Sequence, residues 1–201
     1  MEMKCECINS MLVSHFFPYR IASVHNICVE SICLYNLKRK MGGFAKEVEV
    51  STSLPPAKAF KAFAEDLDTL LPTVAPQAIK SVERLEGDGG PGTIKKITFA
   101  EGYGFSYAKH RVDVLDKDNF LYTYVVIESD FFNNTVEKIS YETKFVAAAD
   151  GGTSIKVTTT FYTIGDNQIT PDLMLQIKEA SEKRALILKA IENYVLANPD
   201  V

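Results

Sequence analysis

The sequence predicts an α+β fold in which one antiparallel sheet curls around a long C-terminal helix, and three observations carry that expectation. Between Gln77 and Thr163 the chain runs as short alternating apolar and polar stretches separated by turn residues, the pattern of consecutive half-buried strands. After Gly165-Asp166 the period lengthens to that of a helix and holds to Val195. Such a helix is about 40 Å long at 1.5 Å per residue, and only a curved sheet can cover it. Third, Glu86 to Lys96 reads EGDGGPGTIKK. That composition is excluded from strand or helix interiors, because glycine loses most backbone entropy there and Pro91 lacks a donor.

Residues 1–40 share no pattern with the remainder of the chain. The stretch has no sustained period, ends in Lys38-Arg39-Lys40, and is succeeded by Met41-Gly42-Gly43-Phe44, which has the form of a second start. Residues 1–41 are therefore expected to be an unstructured leader or an upstream extension of the gene model, with a targeting peptide or a zinc site on Cys5, Cys7, Cys28 and Cys33 as competing readings. The cysteine spacings do not match a zinc knuckle. Residues 42–201 form the predicted domain. Its first strand carries Val48 and Val50 on one side, with Lys46, Glu47, Glu49 and Ser51 as the remainder. Leu54-Pro55-Pro56 opens a helical segment with Phe60, Phe63, Leu67 and Leu70/Leu71 at three- and four-residue steps. It reads as two short helices bent near Ala64 to Asp66, with Pro72 and Pro76 bracketing the end. Six strands come next, giving seven with the first. The breaks between them are the glycine loop, Gly102-Tyr103-Gly104, Asp116 to Asn119, Ser129 to Asn134, and Ala149 to Gly152. Thr170-Pro171-Asp172 starts the last helix with an N-cap, a first-turn proline and an acidic residue at the positive end of the helix dipole. Leu173, Ile177, Ala180, Arg184, Ile187, Ile191 and Val195 mark its inner face.

Composition narrows the function classes. A 201-residue chain that is 46% hydrophobic buries a proper core as one domain. A net charge of −4 opposes any stable nucleic-acid complex held by phosphate contacts. All four cysteines precede residue 40. A cysteine-free body fits a reducing compartment, so a cytoplasmic and also nuclear location is expected. Ile8 to Val29, the most apolar stretch of the leader, is interrupted by His15, Pro18, Arg20, His25 and Asn26 and makes a poor membrane span. No cofactor and no metal are expected, and the protein is expected to be mostly monomeric.

Two loci bear on chemistry. The glycine loop (Gly87, Asp88, Gly89, Gly90, Pro91, Gly92) reads as a hairpin connection or, more sharply, as an anion cradle of backbone N–H groups. A phosphate-binding P-loop is disfavoured, because Thr93-Ile94-Lys95-Lys96 and a strand stand where Lys-Ser/Thr and a helix are needed. Strand parity, secondly, collects Lys95, Ile97 and Phe99; Ala108, His110 and Val112; Tyr122, Tyr124 and Val126; Glu137, Ile139, Tyr141, Thr143 and Phe145; and Ile155, Val157, Thr159 and Phe161 on the inner face. An apolar surface with a few hydroxyls and one imidazole is either an ordinary core, with His110 a satisfied structural histidine, or the wall of a small-molecule cavity.

The stretches Pro55-Pro56 with Phe60-Lys61-Ala62-Phe63, Val74 to Ala78, Glu86 to Lys96, Glu137 to Glu142 and Asp150-Gly151-Gly152 resemble the plant class-10 pathogenesis-related proteins, the family of the major birch pollen allergen. The resemblance runs from Gly42 to the C-terminus. It implies a helix-grip fold, a seven-stranded curved antiparallel sheet wrapped around the C-terminal helix with two short helices at the other end. A large internal cavity between sheet and helix would bind flavonoids, cytokinins, sterols or fatty acids. Carried over by position, its walls would include Phe63, Leu71, Ile79, Ile97, Phe99, Phe105, Tyr107, His110, Tyr122, Tyr124, Val126, Ile139, Tyr141, Ile177 and Arg184.

The resemblance implies first an intracellular defence- and stress-related carrier of hydrophobic small molecules. One alternative is a weak ribonuclease using Lys95, Glu137, Glu192 and Tyr194, although no paired histidines supply the acid and base that RNA cleavage needs. Another is an abscisic-acid-receptor-like protein that binds and inhibits a protein phosphatase. Those receptors carry a Ser-Gly-Leu-Pro-Ala gate that this chain lacks, and His110-Arg111-Val112 only partly echoes their latch. Norcoclaurine synthase also resembles this fold. At the places of its pocket lysine, glutamate and tyrosine this chain has Thr123, His110 and Ala108, so no amine is expected to run that condensation.

Overall fold

The computed structural model describes residues 38–40 and 43–199. Seven long strands form one antiparallel sheet, β2 (Gly43–Thr52), β3 (Ile79–Glu86), β4 (Ile94–Phe99), β5 (Tyr107–Asp116), β6 (Leu121–Ser129), β7 (Val136–Ala147) and β8 (Thr153–Thr163). A three-residue strand, β1 (Lys38–Lys40), lies outside β2 and pairs with Gly43 to Ala45. The spatial order is β1-β2-β8-β7-β6-β5-β4-β3, so β3 to β8 form a meander and β2 returns to pair with β8. The rest of the expected leader, with all four cysteines, lies outside the described residues.

The C-terminal helix, α3 (Pro171–Ala197), starts as its sequence predicts. Thr170 caps it by accepting from the Leu173 N–H at 3.2 Å. Leu173, Ile177, Ile187, Ile191 and Val195 bury one face of it against the curved sheet. At the other end of the sheet, α1 (Pro56–Phe60) runs into a π-helical turn (Lys61–Glu65) and then α2 (Leu67–Val74). The bend falls at Asp66, within the predicted span. Pro72 and Pro76 bracket the end of α2, as the sequence suggests: Pro72 lies in the last full turn, and the helix ends at Val74. Phe60, only 2% exposed, closes this end by packing edge-on against Phe145 at 5.5 Å and tilted against Phe120 at 5.7 Å.

Two parity assignments change. Lys46 shares the inner face with Phe44, Val48 and Val50, and the register places it opposite Thr159 of β8. Glu137 is exposed rather than inward. Val136 pairs with Thr163 and Lys138 with Tyr162, so Glu137 is the extra residue of a bulge, and alternation restarts after it. A one-residue slip of this kind moves a side chain to the opposite face.

The glycine loop is closed by its own bonds. Gly89 N–H donates to Thr93 Oγ1 at 2.8 Å, Gly90 N–H to Asp88 Oδ1 at 3.0 Å, and Gly92 N–H to the Val112 carbonyl at 2.7 Å. Three of the backbone donors that an anion cradle would offer, those of Gly89, Gly90 and Gly92, are thus engaged within the protein. Gly87, Gly89 and Gly92 take φ of 85°, 112° and 91°. At Gly87 an added Cβ would also meet Thr93 Oγ1 at 2.6 Å and Thr93 Cα at 2.8 Å, whereas at Gly92 nothing lies within 4 Å. We expect Gly87→Ala to cost about 1–3 kcal/mol and distinctly more than Gly92→Ala, since only the first adds a clash to the backbone strain. Urea denaturation of the two variants compares them, and equal losses would show that backbone strain alone sets the cost.

Glu192 ties α3 to the β2–α1 junction. Its Oε1 accepts from Thr52 Oγ1 at 2.9 Å, Ser53 N–H at 2.9 Å and Ser53 Oγ at 3.0 Å, and its Oε2 from Lys189 Nζ at 2.6 Å. Burial pushes the carboxyl pKa up, but the bonds from Lys189, Ser53 and Thr52 outweigh it and hold the group below its ordinary value of 4.5. A depressed carboxylate stabilises the fold above its unfolded pKa, and that contribution is lost as pH falls through the folded value. Glu192→Gln should therefore lose about 1–3 kcal/mol at pH 7. The gap from wild type should narrow below pH 4.5, as read from denaturation curves at pH 7 and at acidic pH.

Candidate binding cavity

Bulky side chains occupy both ends of the inner face of α3, and small ones its middle. Where Ala180, Ser181 and Ala185 face the sheet, the contacts across are those of Arg184 with Tyr141 and of Lys46 with Ser181, and a cavity of about 250 Å³ opens between helix and strands. Fourteen of the fifteen expected wall residues line it: Phe63, Leu71, Ile79, Ile97, Phe99, Phe105, His110, Tyr122, Tyr124, Val126, Ile139, Tyr141, Ile177 and Arg184. Tyr107 does not. It is out of phase with Ala108 and His110 on β5, so it points outward, where its hydroxyl donates to Glu128 Oε1 at 2.9 Å and Lys96 Nζ lies 5.5 Å from its ring. Thr143 and Thr159, which strand parity put on the inner face, line the space as well. Sequence reasoning left out Lys46, Asp68 and Ser181, which also line it. Lys46 was within reach of strand parity, but Asp68 comes from α2, whose orientation only the packed structure supplies.

A polar band crosses the concave face. Lys95 on β4 stands opposite His110 on β5, Tyr124 on β6 opposite Tyr141 on β7, and Tyr141 opposite Thr159 on β8, which faces Lys46 on β2. The rings in the middle are stacked, His110 on Tyr124 and Tyr124 on Tyr141, each at 4.8 Å between centroids. At the β4–β5 end Phe99, Tyr103 and Phe105 form a second cluster, 4.6 to 5.0 Å apart, extended by Phe131 at 5.5 Å from Phe105. Lys183 on α3 donates to the Tyr103 carbonyl at 2.6 Å and joins this cluster to the helix.

The electrostatics are set by burial. His110 is held at about 3 by desolvation, with Lys95 and Arg184 adding to the shift, so the imidazole is neutral at pH 7. Burial also pushes the Tyr122, Tyr124 and Tyr141 phenols up and Tyr103 to about 12, which keeps them as neutral donors. Lys95 pairs with Asp68 Oδ1 at 2.7 Å. Lys46 donates to Ser181 Oγ at 2.7 Å. The cavity therefore holds two amines, Lys95, which strand parity put on the inner face, and Lys46, which the sequence reading did not place there. They come from β2 and β4, not from position 123, since Tyr122 and Tyr124, the neighbours of Thr123 on β6, are the residues that line the space.

The four residues of the ribonuclease alternative are not gathered. Lys95 is in the cavity wall against Asp68, Glu137 is exposed at the β7 bulge, Glu192 is taken up at the β2–α1 junction, and Tyr194 packs partly buried against the core. Among the described residues no group of three or more His, Cys, Asp or Glu could hold a metal ion, and no helix is long and apolar enough to cross a membrane.

A curved sheet gripping one long helix over an internal, mostly apolar cavity defines a protein of the helix-grip fold class. Residues 41–198 match the model of the Pathogenesis-related protein Bet v 1 family, and the chain belongs to that family. It is 50% identical over 160 residues to the major allergen Pru ar 1 of Prunus armeniaca, covering 80% of this chain and 98% of that one. The crystal structure of Ara h 8.0201 superposes with a TM-score of 0.68 at 43% identity, covering 78% of this chain and all of the other. Norcoclaurine synthase from Thalictrum flavum, in complex with dopamine and hydroxybenzaldehyde, gives a TM-score of 0.63 at 20% identity, covering 83% of this chain and 97% of that one. That likeness is one of fold alone.

Lys46 offers a test of how dry this space is. Desolvation holds its ammonium at about 8 rather than 10.5, with Glu182 opposing the shift and Arg184 adding to it. A lysine whose pKa is lower folded than unfolded destabilises the fold while it is charged. That cost is full below about pH 8 and fades as pH rises towards 10.5. Lys46→Met should thus be more stable than wild type by about 1–2 kcal/mol at pH 7. The advantage should shrink towards pH 10.5, as followed by urea denaturation at a series of pH values. A variant less stable at pH 7 would show that the bond to Ser181 outweighs the burial cost.

Proposed function

We propose that this protein is a carrier or buffer of hydrophobic small molecules, acting as an intracellular monomer in plant defence and stress responses. The observation that carries the reading is the cavity, apolar over most of its wall with hydroxyls and cations in one band. That is the composition of a small-molecule site, apolar surface for affinity and a few fixed polar groups for orientation. Burying a ligand's apolar area contributes about 25 cal/mol per Å², less the cost of association. The family membership and the allergen names of its relatives support a non-enzymatic role. The separation of Lys95, Glu137, Glu192 and Tyr194 does not favour RNA cleavage.

Titration of the full chain with a fluorescent apolar probe, followed by displacement with flavonoids, cytokinins, sterols and fatty acids, tests this. Saturable binding with micromolar displacement is expected; absence of saturable binding overturns the reading. The stacked tyrosines add a sharper expectation. Tyr124→Leu should weaken hydroxylated aromatics about tenfold and fatty acids much less, since only the former use the phenol and the ring face. Equal losses for both would remove the polar role of that hydroxyl.

A further inference from the structure

One charge in the cavity has no counter-charge. Arg184, midway along α3, lines the space with its guanidinium 4.5 Å from the centre of the Tyr141 ring and 5.9 Å from that of Tyr124. Among the described residues no carboxylate lies within ion-pair distance of it. The other charges nearby are placed differently. Asp68 is taken by Lys95, and Lys46 bonds to Ser181 and is attracted by Glu182, which borders the same space and also has Lys178 at 4.0 Å. The neighbouring phenols interact with the guanidinium but supply no charge, because burial keeps Tyr124 and Tyr141 neutral.

A guanidinium does not deprotonate in proteins, and a cation among apolar walls without an anion is costly to the fold. The arrangement is explained if an anion arrives with the ligand. Stacking over Tyr141 covers a face of the guanidinium and leaves edge donors for an acceptor, and a carboxylate matches that planar fork with two parallel bonds. Beside it runs a column of stacked rings, His110 on Tyr124 and Tyr124 on Tyr141, 4.8 Å apart at interplanar angles of 19° and 14°, which turn their faces to one another and their edges to the cavity. Such a row of ring edges suits the face of an aromatic ring better than a flexible alkyl chain.

Resting on the carrier reading above, we propose that Arg184 is the anion anchor of the cavity and that the ligands it selects are aromatic carboxylic acids. The carboxylate lies against Arg184 and the ring body along the Tyr124 and Tyr141 wall. Lys46, whose side chain reaches Ser181 one turn before Arg184 on α3, is the neighbouring cation, and it has Glu182 beside it.

The test uses the full chain at pH 7 and two probes of the same shape, naphthylacetate and its uncharged amide, naphthylacetamide, titrated by calorimetry. The acid should bind at least about tenfold more tightly than the amide, the scale of one charge-assisted pair. Arg184→Met should abolish the preference, the acid losing at least about tenfold more affinity than the amide, and Arg184→Lys should keep part of it. Equal binding of acid and amide by wild type overturns the anchor and leaves the carrier reading standing, as does a preference that survives in Arg184→Met. Failure of both probes and of every neutral apolar probe overturns both. Thermal melts establish that the variants fold; if Arg184→Met does not, the wild-type acid-to-amide ratio and Arg184→Lys decide the question.

Discussion

The structure depends on one geometric constraint, a helix of 27 residues that must be covered by a single sheet. A sheet curved enough to hold both ends of a straight rod of about 40 Å stands away from its middle unless large side chains fill the gap. Here Leu173 and Ile177 hold one end and Ile187, Ile191 and Val195 the other, while Ala180, Ser181 and Ala185 lie between them. The cavity is the consequence of that distribution. Glu192 fixes the helix at the end where the sheet meets α1, so the grip is made by hydrogen bonds as well as by apolar contact.

What such a cavity does is set by the few polar groups inside it. Polar side chains in a low-dielectric space are either satisfied or costly, and the wall contains both kinds. Lys95 with Asp68 and the Thr52–Ser53–Glu192 cluster are closed within the protein. His110 is neutral and serves as one ring of a stack, between Lys95 on the neighbouring strand and Tyr124. Arg184 joins a permanent charge to neutral neighbours, and it does so in a space whose wall is mostly apolar. The glycine loop, the most conspicuous stretch of the sequence, has three of its donors consumed by Thr93, Asp88 and Val112 and acts as a shaped hairpin connection.

The fold and most of the cavity wall are legible in the sequence. Strand alternation, the capped helix at Thr170 and the position of the glycine loop require only local periodicity and backbone preference. These supply the seven long strands and the bend near Asp66, and the family resemblance adds fourteen of the wall residues, Arg184 among them. The errors share a cause. Tyr107 and Glu137 were placed by uninterrupted alternation or by position, and both fail where local register decides. Tyr107 is out of phase with His110, and Glu137 is the extra residue of a bulge.

By itself, then, the sequence determined which segments are strands and helices and which face of α3 is apolar, because these are dictated by periods of two and 3.6 and by capping and turn chemistry. Only the tertiary structure decided that Lys46 and Asp68 enter the cavity, that Lys95 is neutralised there, and that Arg184 stacks on Tyr141 without a carboxylate. Those outcomes depend on register between strands distant in sequence and on the angle at which α2 and α3 meet the sheet. Neither leaves a mark in the local pattern of residues, since a charged side chain at an inward position reads the same whether or not its partner is within reach.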